Sequence, residues 1–317
     1  MTHPLRIAVL SGWHVHAEEY GRAALDHPDT ELVAVWDDDE ERGRGLASQL
    51  GVEHTLDLEA LLAREDLDGV TVTSATTAHR DLLGQVIAAG KHIFTEKLLA
   101  PTVAECDELI AAAEQAGIAL TVSLPRLAHG YTLAVREILD SGRLGRLTYS
   151  RVRLAHGGSI QDWLPARFYD PAGAIGGAFA DLAAHPVYLT QLILGTEVAS
   201  VRASYTDMTG RGVEDNATVT VTTPDGAIGV IETGFVSPVS PFSIEIHGTE
   251  GSVLFSEGSA LRLGTGDGWE EIPVPADAPA PFAQWVEAIQ SGGRTEENLQ
   301  RARALTELVV AANSAAR

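Results

Sequence analysis

The segment Gly90-Lys91-His92-Ile93-Phe94-Thr95-Glu96-Lys97-Leu98-Leu99-Ala100-Pro101 joins a short apolar run to a charged pair. Ile93 and Phe94 predict a buried strand, and Glu96-Lys97 follows where that strand should end. In an open parallel sheet the ligand crevice lies at the carboxyl edge of the strands. Lys97 is therefore expected where an ammonium can hold a substrate hydroxyl or carbonyl, although a Glu-Lys pair alone also fits an exposed strand end.

Strand and helix patterns alternate on both sides of this segment. Residues 5–10, 17–26 and 30–36 predict strand, helix and strand, which is a βαβ unit. Further predicted strands cover residues 50–53, 70–74, 92–95 and 119–123, and predicted helices cover 57–63, 78–89 and 103–116. This alternation predicts an α/β fold with a doubly wound parallel sheet of the Rossmann type.

Two features of the first half point to a dinucleotide. Asp37 ends the second predicted strand, where a carboxylate accepts hydrogen bonds from ribose hydroxyls and repels a 2′-phosphate. This favours NAD, with NADP less favoured, although Asp37 also opens an acidic run that could cap the next helix. The loop at residues 11–16 keeps only Gly12 of the three glycines that the dinucleotide fingerprint requires.

His14 and His16 in that loop raise a different possibility. A His-x-His motif after the first strand also opens metal-dependent hydrolases of the β/α-barrel type, whose site Lys97, Asp181 and His185 could complete. A barrel needs strand and helix to alternate through the second half of the chain, and here they do not. We therefore expect no metal.

The pattern changes from Pro125 onward. After a helix at 131–139, predicted strands cover residues 147–154, 198–207, 216–223, 228–235, 242–247 and 251–257. Turn residues separate these strands, which predicts a mostly antiparallel open sheet, followed by helices at 282–290 and 296–315. We predict an NAD-binding Rossmann domain over residues 1–124 and an α/β domain for substrate binding and oligomerisation over 125–317.

Within this second domain, Asp181 and His185 follow the glycine pair Gly176-Gly177. If a helix starts after the glycines, a spacing of four puts both side chains on one helical face. The carboxylate could then orient the imidazole, or both could address one ligand. A purely structural pair and a metal half-site remain alternatives at this spacing.

The composition of the chain limits the classes of partner that it is expected to bind. With 317 residues and 45% hydrophobic content, the chain can bury a large core, and its length favours about two domains. The formal net charge of -22 would repel nucleic acid and anionic lipid, which leaves small molecules and other copies of the chain. Cys106 is the single cysteine, so an intrachain disulfide is excluded. The sequence lacks a membrane-length apolar run and a secretory leader pattern, which predicts a cytoplasmic protein.

Residues 90–97 closely resemble the "AGKHVxxEKP" segment of the Gfo/Idh/MocA oxidoreductases, which include sugar and inositol dehydrogenases. The resemblance continues through Asp37, His79, residues 181–185 and residues 247–251. Leu98 replaces the proline of the motif, and the glycine loop is degenerate. The resemblance implies an NAD(P)-dependent dehydrogenase that transfers a hydride between NAD and a secondary hydroxyl or ketone of a sugar, cyclitol or related polyol.

The resemblance also implies roles for individual residues. His185 would accept the hydroxyl proton, Asp181 would be its partner, and Lys97 would position the hydroxyl. Tyr188 stands where other members usually have an aspartate. The residues implied to contact the cofactor are Gly12, Trp13, His14, Asp37, Ser74, Thr76, His79, Glu96 and Lys97. The residues implied to contact the substrate are Arg126, His156, Trp163 and Arg167.

Two further functions remain open on the same fold. One is a glycosidase that uses tightly held NAD only transiently, and the other is a noncatalytic sensor of NAD or sugar. The resemblance also implies a homodimer or homotetramer that forms through the C-terminal sheet.

Overall fold

The computed structural model describes residues 3–293 and 295–316, and they fold into two units. The first unit ends at Ser123 but also takes in Pro279–Arg303, and the second comprises Leu124–Ala278 and continues from Ala304. The sequence-based division assigns all of residues 125–317 to the second domain. The returning segment differs because its helix carries Phe282 and Trp285 against Phe94, in the core of the first unit.

Six strands form the sheet of the first unit. They are β1 (Leu5–Leu10), β2 (Thr30–Trp36), β3 (Glu53–Thr55), β4 (Gly69–Val72), β5 (His92–Thr95) and β6 (Leu120–Val122). All neighbouring pairs are parallel and the order is β3-β2-β1-β4-β5-β6. This is the doubly wound order, and its switch point lies between β1 and β4. The predicted Rossmann-type sheet is confirmed.

Helices connect these strands. They are α1 (Ala17–Asp26), α2 (Glu40–Leu50), α3 (Leu58–Leu62), α4 (His79–Ala88) and α5 (Val103–Ala116), joined later by α10 (Pro281–Ser291). The predicted strand at 50–53 begins too early, because Leu50 is the last residue of α2. Gly51 ends that helix in the left-handed conformation, with φ of 72°. A glycine at this position is a helix stop, and the strand starts only after it.

The second unit contains an eight-stranded sheet. Its strands are β7 (Leu147–Ala155), β8 (Ser200–Thr206), β9 (Asn216–Thr222), β10 (Ile228–Gly234), β11 (Ser243–Gly248), β12 (Gly251–Ser256), β13 (Leu261–Thr265) and β14 (Gly268–Ile272). The order is β14-β13-β12-β11-β7-β10-β9-β8, antiparallel except for the parallel pair β7 and β10. The predicted mostly antiparallel sheet is confirmed, and β13 and β14 extend it beyond the predicted strands.

The remaining helices are α6 (Gly130–Asp140), α7 (Pro171–Ala174), α8 (Ala178–Asp181), α9 (Ala184–Leu194) and α11 (Glu296–Ala315). α9 is buried along most of its length and packs on β7 and β10. Along β9 the buried residues Ala217, Val219 and Val221 alternate with more exposed ones. Within residues 3–293 and 295–316, no helix combines the length and apolar character needed to cross a bilayer.

Candidate active site

Glu96 and Lys97 lie just beyond the carboxyl end of β5. The Glu96 backbone N–H donates to the Val72 carbonyl at 2.9 Å, so the hydrogen bonding between β4 and β5 continues as far as Glu96. Both side chains are only 2% exposed, and Lys97 Nζ lies 3.0 Å from Glu96 Oε1. The alternative of an exposed strand end is therefore wrong. The next peptide bond, Lys97-Leu98, is cis.

Two side chains of the first helical turn meet the other Glu96 oxygen. His16 Nδ1 lies 3.2 Å from Glu96 Oε2, and the Tyr20 hydroxyl donates to the same oxygen. Burial raises the pKa of the Glu96 carboxyl, but Lys97, His14 and His16 outweigh it and hold this pKa well below its usual range. Burial lowers the pKa of His16, and the Glu96 charge more than offsets it, so that this pKa is raised. The cluster is a buried ionic network.

This network predicts a specific acid sensitivity. Because the folded pKa of Glu96 is depressed, its stabilisation is present above the unfolded pKa of about 4.3 and is lost as pH falls toward the folded value. The free energy of unfolding should therefore fall more steeply between about pH 5 and pH 3 in the wild type than in Glu96→Gln. Urea titrations at several pH values measure this slope. Equal slopes in the two proteins would contradict the assignment.

His14, His16 and Glu96 also form a group with metal-ligand chemistry, since their donor atoms lie within 4.8 Å of one another. The Lys97 ammonium sits on the same carboxylate, and its positive charge disfavours a second cation there. The ionic network explains the cluster without an ion. The open sheets of both units also show that the β/α-barrel alternative is wrong.

Hydrogen bonds within the protein hold the loop at residues 11–16 in place. The Gly12 N–H donates to Asp37 Oδ2 at 2.6 Å, and the Trp13 N–H donates to the Ser11 hydroxyl at 3.2 Å. The His14 N–H donates to the Thr73 carbonyl at 2.9 Å, which ties the loop to the end of β4. In a complete fingerprint, loop amides such as these face a pyrophosphate. Here they hold the loop at the switch point.

Asp37 is fully buried beneath Arg42. Its carboxylate accepts hydrogen bonds from the N–H groups of Gly12 and Asp39 and from the Arg42 guanidinium. Burial raises the pKa of Asp37, but the Arg42 hydrogen bond and the two backbone N–H groups bring it below its usual value. Asp39, and not Asp37, caps α2 by accepting from the Arg42 N–H at 3.0 Å.

The residues at this edge fit a dinucleotide. At the carboxyl end of β4 the Ser74 hydroxyl is buried, and it finds no hydrogen-bond partner within residues 3–293 and 295–316. A buried, unsatisfied hydroxyl at the switch point suits a polar ligand group. Thr76 is half-buried in the turn that follows, so the predicted contacts Ser74 and Thr76 lie at the ligand edge of the sheet.

His79 is buried in a structural position. Its Nδ1 lies 2.9 Å from the Leu98 carbonyl, and its Nε2 lies 3.2 Å from the Ser74 carbonyl. Burial lowers the pKa of this imidazole despite the surrounding carbonyls. The ring thus ties the turn after β4 to the chain that follows Lys97, and a direct contact of His79 with the cofactor stays a prediction.

In the second unit, Asp181 and His185 do not share one continuous helix. α8 ends at Asp181 and α9 begins at Ala184, and the His185 N–H donates to the Leu182 carbonyl at 3.3 Å. Pro186 explains the break, because proline has no N–H and clashes with the carbonyl four residues earlier inside a helix. The prediction of one continuous helix through both residues is therefore wrong, and a shared face for their side chains stays a prediction.

His185 has a defined hydrogen-bond partner in Tyr188. The Nδ1 atom lies 2.8 Å from the Tyr188 hydroxyl, which accepts a hydrogen bond from the Arg126 N–H at 3.0 Å. His185 is 8% exposed and Tyr188 is 1% exposed. The phenol holds the Nδ1 side of the imidazole without adding the negative charge that an aspartate would bring. The Tyr188 contact thus orients the imidazole from its Nδ1 side.

Asp181 acts electrostatically on His156. Its charge raises the pKa of His156, but burial is the larger effect and lowers this pKa overall. The His156 ring stacks on buried Phe235, with centroids 4.9 Å apart, and its other neighbour is Trp163 at 4.7 Å. Trp163 is 50% exposed. A polar ring and an exposed indole therefore stand side by side.

The two predicted substrate arginines differ. Arg126 Nη1 donates to the Tyr131 hydroxyl at 2.9 Å, and its guanidinium lies 4.2 Å from the Phe242 ring, so this side chain is packed within the unit. Arg167 is half-buried on a short 3₁₀ turn, with its guanidinium 6.0 Å from the Phe168 ring. Arg126 contacts the pair formed by His185 and Tyr188 through its backbone N–H, which donates to the Tyr188 hydroxyl.

Family models match both parts of the chain. A model described as "Oxidoreductase family, NAD-binding Rossmann fold" matches residues 6–124, and one described as "GFO/IDH/MocA C-terminal domain" matches residues 132–254. The chain belongs to the Gfo/Idh/MocA oxidoreductase family. Its first unit is accordingly an NAD-binding Rossmann domain, and NAD is its cofactor class.

Characterised relatives of this Gfo/Idh/MocA chain include carbohydrate oxidoreductases. The 1,5-anhydro-D-fructose reductase of Ensifer adhaerens is 29% identical over 77% of this chain and 74% of the relative. The inositol 2-dehydrogenase of Rhizobium meliloti is 26% identical over 80% and 77%. The crystal structure of GenD2 from gentamicin A biosynthesis in complex with NAD is 26% identical, with a TM-score of 0.86 over 100% of this chain and 95% of that chain.

Several contacts with the candidate site residues of this Gfo/Idh/MocA chain were not predicted from the sequence. Tyr20 lies on α1 four residues after His16, the N-cap of that helix, and this spacing puts both on one face, so the contact with Glu96 was open to prediction. Arg42 directly follows five acidic residues, which suggested a helix cap, so its pairing with Asp37 was not predicted. The only sequence signal for the contact between Tyr188 and His185 was that Tyr188 occupies a position where family members usually have an aspartate.

Proposed function

We propose that the protein catalyses NAD-dependent oxidation of a secondary hydroxyl on a sugar, cyclitol or related polyol, or reduction of the matching ketone. The observation that carries this proposal is His185, a largely buried imidazole whose Nδ1 is held by Tyr188. An imidazole oriented by such a hydrogen bond is suited to proton transfer with a substrate hydroxyl. The names of the relatives support the carbohydrate class.

In the oxidation direction, His185 takes the hydroxyl proton at Nε2. The resulting imidazolium carries a proton on Nδ1, which can donate to the Tyr188 oxygen at 2.8 Å. Bound NAD would supply the acceptor for the hydride that leaves the same carbon. In the reduction direction, the protonated ring returns its proton to the ketone oxygen as the hydride arrives.

Lys97 holds the substrate oxygen as a cation. Its ammonium is paired in a buried position with the Glu96 carboxylate, which also contacts His16 and Tyr20. A donor fixed before the substrate arrives loses little freedom on binding, and its positive charge favours the alkoxide character that develops during proton removal. Glu96 is therefore a positioning residue for Lys97.

Cofactor preference should depend on Asp37. In Asp37→Ala the Gly12 amide loses its acceptor and Arg42 is released, so NAD should bind more weakly and a 2′-phosphate should gain a partner. We expect a lower NAD affinity and less discrimination against NADP, measured by calorimetry with each cofactor. Asp38→Ala is the control, since Asp38 also pairs with Arg42 but is 75% exposed. An unchanged ratio of the two affinities would contradict this role.

Self-association through the second sheet remains a prediction. One face of this sheet carries a charge ladder in which Arg151 pairs with Glu232 at 2.6 Å and approaches Glu245 at 3.9 Å. A face with both signs can pair with a rotated copy of itself. Light scattering after size exclusion should give a dimer or tetramer, and Arg151→Glu should shift it toward monomer. A wild-type monomer at micromolar concentration would contradict the prediction.

The proposed activity is tested by incubating the protein with NAD and a panel of polyols, cyclitols and sugars while following NADH absorbance. Net NADH formation with at least one compound is the expected result. Release of free sugar from glycosides without net NADH would replace the proposal with the glycosidase function. NAD binding without turnover in either direction would replace it with the sensor.

A further inference from the structure

The loop between β8 and β9 contains none of the candidate site residues, yet it is fastened from within. Asp207 accepts hydrogen bonds from the N–H groups of Gly210 at 2.7 Å and Gly212 at 2.9 Å. Asp215, which is fully buried, accepts from the N–H groups of Met208 at 2.8 Å and Thr209 at 2.9 Å. We call residues 207–215 the brace loop, because its two ends fix the shape of its middle.

From the middle of the brace loop, Arg211 reaches three residues of another segment. Its Nη2 donates to the Ser159 carbonyl at 3.1 Å and to Asp162 Oδ1 at 2.8 Å. Its guanidinium also lies 4.6 Å from the centre of the Tyr169 ring. Ser159 and Tyr169 are joined by a hydroxyl hydrogen bond of 2.9 Å. One planar cation thus links both ends of residues 159–169.

This linked segment contains the substrate candidates Trp163 and Arg167, and the candidate His156 lies three residues before it. Its tip exposes two apolar side chains, Ile160 at 57% and Trp163 at 50%. Asp162, between them, has a φ of 57°, a left-handed conformation that costs free energy for a residue other than glycine. Such a conformation persists where surrounding contacts stabilise it, and the ion pair between Arg211 and Asp162 is one such contact.

The brace loop also fastens the segment that leads to Asp181. Glu214 Oε1 accepts from the N–H groups of Gly177 at 2.8 Å and Phe179 at 3.0 Å. The approach is close enough that a Cβ on Gly177 would lie 1.9 Å from the Glu214 carbonyl oxygen. One loop therefore holds two segments that carry candidate site residues.

We propose that Arg211 is a positioning residue for substrate binding, acting through Ser159, Asp162 and Tyr169 on the placement of His156 and Trp163. This inference rests on the proposed function. Arg211 does not act on the reacting atoms, so its loss should weaken the hold on the substrate more than it slows the chemical step. The expected signature is a raised KM for the polyol with kcat nearly unchanged.

The experiment compares Arg211→Ala and Arg211→Lys with the control Arg202→Ala, which removes an exposed guanidinium from β8, the strand that enters the same loop. In Arg211→Ala the polyol KM should rise about tenfold, while kcat stays within about threefold and NAD affinity is unchanged. Lysine keeps the charge but lacks the planar fork that spans three partners, so Arg211→Lys should fall between alanine and wild type. Arg202→Ala should behave as wild type.

Hydrogen exchange gives a readout that does not require turnover. Amides of residues 157–170, including those of Gln161 and Leu164 that bond back to Gly157 and Gly158, should exchange about tenfold faster in Arg211→Ala than in Arg202→Ala. Exchange in residues 3–123 should not change. If the protein turns over no polyol, this measurement still decides whether Arg211 holds the segment, so failure of the proposed function is seen separately.

Three results would overturn the inference. Unchanged exchange in residues 157–170 would show that Arg211 does not hold the segment. Faster exchange with an unchanged polyol KM would show that the hold is structural only. If Arg211→Ala unfolds, Asp162→Asn replaces it, because asparagine tolerates the left-handed conformation while losing the ion pair. That variant should show the same KM rise to a smaller extent, and an unchanged KM would overturn the inference.

Discussion

Replacement of His185 by alanine should lower turnover by about 10²-fold or more, the scale of a lost acid-base group. The imidazole is the proton acceptor in the proposed oxidation, and alanine offers no group that can take the proton. NAD affinity should remain at the wild-type level, because His185 belongs to the second unit and the Rossmann domain binds the dinucleotide. Steady-state kinetics at saturating NAD and substrate, together with calorimetry for NAD, measure both quantities.

Tyr188→Phe is the matched control for this prediction. It removes the hydroxyl that lies 2.8 Å from His185 Nδ1 and keeps the ring that fills the surrounding core. Its turnover should be reduced less than that of His185→Ala, because the imidazole is still present but no longer held. Near-normal turnover in His185→Ala would exclude His185 as the proton acceptor.

Lys97→Ala should cause a loss of turnover of similar size, and it should also destabilise the first unit. Removing the ammonium leaves the Glu96 carboxylate buried without its nearest cation, and breaking a buried ion pair typically costs about 3–5 kcal/mol. Urea denaturation measures the stability, and kinetics on the folded fraction measures turnover. Turnover within a few-fold of wild type would contradict the role of Lys97 in holding the hydroxyl.

A double variant separates the two effects of Lys97. In Lys97→Met with Glu96→Gln, both charges are removed while the side chains stay close to their original size. Replacing a buried ion pair by neutral groups is often tolerated, so stability should recover relative to Lys97→Ala. Turnover should remain low, because the cation that holds the hydroxyl is still absent. Recovery of turnover along with stability would mean that Lys97 is only a structural counter-charge.

The sequence predicted the first unit well because its signals are local. The apolar run at 92–95 followed by Glu96-Lys97 depends on strand burial and on the position of the sheet edge, and both follow from pattern alone. The return of Pro279–Arg303 to the first unit was not visible, because helix patterns do not say which core an apolar face joins.

The second unit was harder to predict at its site. Spacing suggested one helix through Asp181 and His185, and Pro186 was the overlooked signal for a break. The pairing of His185 with Tyr188, and the reach of Arg211 across about fifty residues of sequence to Ser159, are tertiary contacts. The positions of Arg211 and Tyr188 follow no periodic sequence pattern from which their contact partners could be predicted.

The most direct test of hydride transfer uses a polyol identified in the panel and deuterated at the carbon that bears the reacting hydroxyl. After turnover with NAD, mass spectrometry of the reduced cofactor should find the deuterium on its nicotinamide ring, in amounts equal to the ketone formed. Product that forms while the cofactor pool stays unlabelled would contradict the assignment of this chain as a dehydrogenase.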